Sequence, residues 1–88
     1  MWRVEFTASA RRSLLRLDAK VQGQILRFLE ERVATAADPR GLGLPLKGRR
    51  FAGLWRYRSG DWRILCEIQD GALLVLVVDV GHRREVYR

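Results

Sequence analysis

The stretch Leu54–Ile68, LWRYRSGDWRILCEI, consists of two runs of alternating polarity on either side of Ser59-Gly60-Asp61. Alternation with period 2 around a glycine-containing break predicts a β-hairpin. Side chains two apart on a strand share a face, so Leu54, Arg56 and Arg58 line one side and Trp55 and Tyr57 the other. Beyond the turn, Trp62, Ile64, Cys66 and Ile68 share one face, and Arg63, Leu65 and Glu67 the opposite one. Guanidinium groups held on rigid strands beside aromatic rings suit a ligand made of phosphates and bases. The hairpin therefore points toward nucleic acid.

The rest of the chain is arranged around it. Trp2, Val4 and Phe6 alternate with Arg3 and Glu5, which predicts a half-buried first strand. Thr7 or Ser9 can cap a short helix to about Leu17, with Ala10, Leu14 and Leu17 on one face. Asp18 caps a longer helix to about Ala36, whose apolar stripe is Val21, Ile25, Phe28, Leu29 and Val33. Gly23 weakens that helix and permits close packing of a partner. Asp38-Pro39 ends it, and Gly41, Gly43 and Pro45 mark a loop. After the hairpin, Gln69-Asp70-Gly71 is a second turn. Leu73–Val80 is apolar on both faces apart from Asp79, as a central strand would be, and Gly81 breaks it. The order is β-α-α-β-β-β. The expected fold is α+β, with the first strand and a helical hairpin on one face of a largely antiparallel four-stranded sheet. A chain of 88 residues has little room for a second core, so residues 1–88 are expected to form one domain.

Composition narrows the class of function. The formal net charge is +7, and 15 of the 17 basic residues are arginine. Residues 1–38 carry +2 and residues 39–88 carry +5, so the excess lies in the half that holds the hairpin. Such a surface favours RNA, DNA or an acidic protein, although a basic surface that serves only solubility fits the same total. No apolar run approaches the roughly 20 residues that span a bilayer. MWRVEF reads as a strand rather than the start of a signal peptide. A cytoplasmic protein is expected. Cys66, the single cysteine, has no partner for an internal disulfide and is expected to be buried and inert.

The chemistry open to these residues is limited. One Cys and one His cannot build a zinc site, and Glu67, Asp70, Asp79 and Glu85 form no obvious magnesium cage. No phosphate-binding glycine motif occurs. No metal and no cofactor is expected. Metal-free RNA cleavage is accessible, because the neighbouring 2′-OH of the substrate is itself the nucleophile. The protein must then align that oxygen, neutralise charge in the transition state and move two protons. Arginines suit the charge and, with pKa values above about 12, not the protons. Arg56, Arg63 and Arg83 are the expected clamp, and Tyr87 and His82 the candidates for proton transfer or for stacking a base. Lys47, Arg49 and Arg50, three cations around Gly48, either wrap a phosphate backbone or merely mark an exposed edge. Arg58 and Arg84 complete the expected phosphate-binding set.

Bland readings of the same residues stand beside these. Tyr87 can simply pack the C-terminus, and His82 can be a bystander beside a turn. Arg63 can pair with Glu67 or Asp79, Trp55 and Trp62 suit the core, and Asp61 serves the turn. Arg11, Arg12, Arg16 and Arg27 suit a solvated helix face or the grip of a large RNA.

GDWRILCEI, followed after one more strand by VGHRREVYR, resembles the RelE branch of the RelE/ParE toxin superfamily, along essentially the whole chain. Lys47 and Gly48 match the usual L-[KR]-G segment before the hairpin. The resemblance implies a toxin of a type II toxin–antitoxin pair that cleaves messenger RNA in the ribosomal A site. It puts active-site positions on Arg56 (with slack against Arg58), Arg63, Arg83 and Tyr87. It also implies an acidic, partly disordered antitoxin that wraps the basic face in a hetero-oligomer, with ribosome and messenger RNA as the other partners. One departure concerns the proton carriers. The best-studied pattern has two lysines on the strand before the turn, where this chain has Leu54 and Arg56, and His82 stands where a lysine can occur. Two alternatives follow: a ParE-like inhibitor of DNA gyrase, disfavoured by the Arg/Tyr tail, or a homologue that has lost activity and only binds antitoxin or RNA.

Overall fold

The computed structural model describes residues 1–87. Strand β1, Arg3–Phe6, alternates exposed and half-buried residues, as its sequence pattern requires. Helix α1, Ala8–Leu15, begins where the Thr7 hydroxyl accepts the Ala10 N–H at 3.0 Å. Helix α2, Ala19–Phe28, begins where an Asp18 carboxylate oxygen accepts the Val21 N–H at 2.9 Å. Each cap satisfies a backbone donor left over at a helix start, which stabilises by about 0.5–2 kcal/mol. The second helix is shorter than its periodicity suggests. After Phe28 it widens into a π-helical turn, Leu29–Val33, which keeps Leu29 and Val33 buried as the stripe predicts. A Cβ at Gly23 would meet nothing within 4 Å, so close packing is not the role of that glycine.

The sheet has five strands in the order β1-β5-β4-β3-β2. The expected α+β architecture is present, with one strand more than the sequence pattern suggests. The addition is β2, Leu44–Pro45, which pairs antiparallel with β3, Leu54–Ser59. Its approach depends on Gly43, where a Cβ would lie 2.6 Å from the Arg56 carbonyl oxygen and 3.0 Å from the Tyr57 ring. Strand β4, Trp62–Gln69, pairs with β3 across the Gly60-Asp61 turn. Gly60 has φ +59°, the first central position that a type II′ hairpin turn gives to glycine. The Gln24 amide of α2 donates to the Ser59 hydroxyl at 3.0 Å and so fixes the hairpin tip to the helices. Strand β5, Leu74–His82, is central, antiparallel to β4 and parallel to β1. It runs through Gly81 rather than breaking there. The turn before it is a short 3-10 segment, Asp70–Ala72, and its left-handed residue is Leu73 (φ 48°) rather than Gly71. A bidentate Arg40–Asp70 ion pair braces this turn and holds the Asp70 carboxyl below its ordinary value.

Both helices lie on one face of the sheet. There Ala10, Leu14, Ile25, Leu29 and Val33 meet Tyr57, Ile64, Cys66, Val75, Val77 and Val80. Trp55 and Trp62 pack against the same cluster, as core residues. No helix among the described residues is long and apolar enough to cross a membrane.

Cys66 is fully buried, and that burial pushes its thiol up to about 12, with the Tyr57 hydroxyl partly offsetting the rise. Between about pH 9 and pH 12 the unfolded chain therefore binds fewer protons than the folded one, and stability falls as pH rises. Urea titrations across that window should show the decline. The Cys66→Ala variant should have a shallower slope. A thiol reagent at pH 8 should label Cys66 only after denaturant is added.

Candidate functional site

The face of the sheet opposite the helices carries the arginines. Arg58 on β3 stands directly across from Arg63 on β4, and Arg56 across from Leu65. Like charges in register oppose pairing, so this arrangement costs stability unless an anion occupies the face. Arg63 is not on an exposed surface, as the strand pattern suggests, but only 8% exposed. Its guanidinium pairs with neither Glu67 nor Asp79. It donates to the Gly60 carbonyl at 2.8 Å and the Trp62 carbonyl at 3.1 Å, at the root of the hairpin turn. Glu67 is engaged by Gln69, and Asp79 by Ser13 and its own strand. Arg63 thus keeps its charge without a carboxylate among the described residues. Burial, then Arg58 and Arg56, pull its pKa below the ordinary arginine value; Arg83 acts the same way. A guanidinium so placed is a held, underneutralised cation.

The tail closes over this floor. The Arg83 N–H continues the sheet pairing by donating to the Asp61 carbonyl at 2.9 Å. The N–H groups of Glu85 and Val86 then both donate to the His82 carbonyl, turning the chain back. Val86 is buried on Gly81, where a Cβ would come within 3.2 Å of the valine side chain. Tyr87 meets the ring of Phe51 edge-on at 5.9 Å. The Tyr87 hydroxyl and the Arg56 Nε are both buried without a hydrogen-bond partner among the described residues. Buried polar atoms seldom go without a partner, so both retain hydrogen-bonding capacity. Arg83 is about half exposed, with Nε 3.7 Å from an Asp61 carboxylate oxygen. Asp61 therefore both serves the turn and orients an arginine of the tail.

The structure brings together Arg56, Arg58, Arg63, Arg83 and Tyr87, since all four other groups act electrostatically on Arg63. Lys47, Arg49 and Arg50 lie exposed in the loop that delivers Phe51 to Tyr87, with Gly48 at φ +90°. The Arg50 guanidinium sits over the Phe51 ring at 5.3 Å. Arg84 is exposed on the turned tail. His82 does not join the cluster. It pairs in register with Trp62, its ring meets the Trp62 indole edge-on at 5.5 Å, and it borders a cleft against α1 on the helix side. The last residue of the VGHRREVYR motif, Arg88, lies outside the described residues. Phe51 is the participant that strand and charge patterns miss, because it belongs to no periodic segment; an aromatic directly after a basic loop is its only sequence signal. Among the described residues, no three His, Cys, Asp or Glu side chains gather to hold a metal ion.

A small helix-backed sheet with an arginine floor and a folded-back tail makes a basic protein suited to a polyanionic ligand, and comparison with known proteins shows its family. Residues 4–87 match the model of the ParE toxin of type II toxin–antitoxin systems. The chain is 33% identical over 85 residues to toxin RelG of Mycobacterium tuberculosis strain H37Rv, covering 97% of this chain and 94% of that protein. It is 32% identical over 87 residues to toxin RelE of the same organism, covering 99% and 87%. The toxin–antitoxin complex RelBE2 from M. tuberculosis contains a chain that superposes with a TM-score of 0.84 at 30% identity, over 96% of this chain and 93% of that one. The protein belongs to the RelE/ParE superfamily of type II toxin–antitoxin toxins.

Proposed function

We propose that the protein is a ribosome-dependent endoribonuclease that cleaves messenger RNA without a metal ion and so arrests translation. The observation that carries this reading is the arginine floor, which has no carboxylate on Arg63 among the described residues, with Arg56 Nε and Tyr87 Oη buried and, among those residues, unpartnered. The 2′-oxygen of one nucleotide forms a bond to its own 3′-phosphorus, and the bond to the 5′-oxygen of the next nucleotide breaks. Arg56, Arg63 and Arg83 hold the non-bridging oxygens, and Arg58 stands at the exposed side of the same face. Their charge is worth most in the transition state, where the phosphorane carries an additional negative charge. A proton must leave the 2′-OH and another must reach the departing 5′-oxygen. Tyr87 is the group on this floor suited to one of these transfers. The other falls to the RNA, the ribosome or water, because the strand lysines are absent and His82 faces the helices. Lys47, Arg49, Arg50 and Arg84 form the rim that grips the backbone on either side.

The neutralising partner in this reading is an antitoxin with acidic side chains that covers the arginine floor, as the neighbouring RelBE2 structure is itself a toxin–antitoxin complex. Primer extension on a reporter messenger RNA in cell-free translation tests the activity. The expected result is codon-phased cuts that need ribosomes, are absent on naked RNA, and fall by about 10²- to 10⁴-fold in Tyr87→Phe. Intact RNA with blocked supercoiling in a parallel gyrase assay would overturn the nuclease reading in favour of a ParE-like one. Inertness in both would leave a protein that only binds.

A further inference from the structure

The turned tail is built on one residue. Past the end of β5, the backbone N–H groups of residues 83–86 leave the sheet and must find acceptors. Arg83 donates to the Asp61 carbonyl at 2.9 Å, and Glu85 and Val86 donate back to the His82 carbonyl at 2.8 and 3.0 Å. The Arg84 N–H donates to Nδ1 of the His82 ring at 3.3 Å. The carbonyl bonds would form with any residue at this position, whereas the Arg84 bond depends on the side chain. The ring is in turn set from the helix side. It stands perpendicular to the Trp62 indole at 5.5 Å, across the β4–β5 pairing. Ser13 of α1, with Arg16 and Leu17 just past that helix, closes the cleft around it.

The geometry points to His82 as a positioning residue: its ring holds the turn that brings Arg83 and Tyr87 to the arginine floor, and does so only while Nδ1 is unprotonated. The inference rests on the nuclease reading for the roles of Arg83 and Tyr87, and adds what keeps them in place. A ring nitrogen that accepts the N–H two residues on acts as the side-chain oxygen of Asp or Asn acts in an Asx turn. To accept, Nδ1 must be bare, so the neutral ring carries its proton on Nε2. The imidazolium has an N–H on both nitrogens, and two donors then face each other where the bond was. Histidine changes charge between about pH 5 and 8, so the turn is held at the upper end of that range and loosened at the lower. The charged groups around the ring are Arg16 beside α1 and Glu85 of the tail, with Arg83 and Arg84 next in the chain. Strand β4 faces it with Trp62, and Asp79 of β5 is taken up by Ser13 and the Val80 N–H. A residue on the helix side of the sheet thereby sets the geometry of the arginine face.

The test is an NMR titration of the whole protein from about pH 8 to about pH 5. The readouts are the His82 ring, the hydrogen-exchange protection of the Arg84 amide and the ring-to-ring contact between Phe51 and Tyr87. In the parent, protection and contact should both weaken with the midpoint at which the His82 ring titrates. His82→Asn supplies an oxygen to the same N–H and should keep both steady across the range. His82→Phe keeps a ring beside Trp62 without an acceptor and should show the loosened tail at every pH. Arg84 protection in that variant should fall by about 2- to 10-fold, and cleavage in translation extracts by a similar factor, with His82→Asn recovering the loss. A tail that ignores the titration of His82 would overturn the proposal. So would a His82→Phe protein equal to the parent, or a His82→Asn protein as impaired as His82→Phe. The NMR arms need no RNA, so the two readings fail separately: a parent that does not cleave, but whose tail follows His82, would refute the catalysis and retain the positioning.

Discussion

Arg63→Ala should abolish growth arrest when the protein is expressed without its antitoxin, and should lower cleavage in translation extracts by about 10²- to 10³-fold. The expected loss is large because Arg63 is the cation of the cluster that the fold itself locks in place. One nitrogen of its fork is held by the Gly60 and Trp62 carbonyls, so on the proposed reading little ordering cost remains when a phosphate arrives. The same two hydrogen bonds mean that the variant is also less stable, by about 1–3 kcal/mol, from a charged donor removed and two carbonyls left to find water. Removal of the charge opposite Arg58 offsets part of this. Arg83→Ala separates the two effects. Arg83 is about half exposed and weakly paired, so its loss should reduce cleavage with little change in the urea midpoint. A folded, soluble Arg63→Ala protein that remains fully toxic would refute the clamp. Arg63→Lys tests the geometry: it keeps the charge but cannot reach both carbonyls and a phosphate at once, and should recover only part of the activity.

Tyr57→Ala should be the most destabilising single substitution in the core, by about 3–5 kcal/mol. Tyr57 is fully buried at the centre of β3 and packs edge-on against Phe28 of α2 at 5.7 Å. Its hydroxyl donates to the Pro39 carbonyl at 2.9 Å, which ties down the loop that leads to β2. For a domain whose total stability is of order 5–15 kcal/mol, this loss leaves a substantial unfolded fraction at 37 °C. Tyr57→Phe keeps the ring and strands the carbonyl, at about 1–3 kcal/mol. Circular dichroism melts of the pair measure ring and hydroxyl separately. Equal melting temperatures for Tyr57→Phe and the parent would show that the Pro39 contact contributes nothing.

The parts legible in the sequence are those governed by local physics. Thr7 and Asp18 cap their helices because short oxygen-bearing side chains satisfy the first free N–H groups wherever they stand. The β3–β4 hairpin follows from strict alternation around Gly60, and Arg56, Arg58 and Arg63 fall on one face for the same reason. Legibility fails where tertiary contacts decide. Leu44–Pro45 has no periodicity to announce a strand; it becomes one because Gly43 lets the backbone approach Arg56. The motif makes His82 a candidate for proton transfer or base stacking beside the clamp, and simple alternation from Val75 and Val77 puts it on the arginine face. A bulge opposite Leu65/Cys66 shifts the register, so that Val80 is buried and His82 turns to the helices. Phe51 meets Tyr87 because the tail folds back, which no local pattern encodes.

The position of β5 has a consequence for the moment at which the protein becomes dangerous. This strand is synthesised after the other four, yet it lies in the middle of the sheet between β1 and β4. The first strand therefore waits for a partner some seventy positions downstream, Arg3 pairing with Leu74. Such distant pairings form late, because the intervening chain must be ordered first. While β5 is still within the exit channel, Arg83 and Tyr87 have not reached the hairpin and the floor of arginines is incomplete. Synthesis of the hairpin and completion of the arginine floor are thus separated in time.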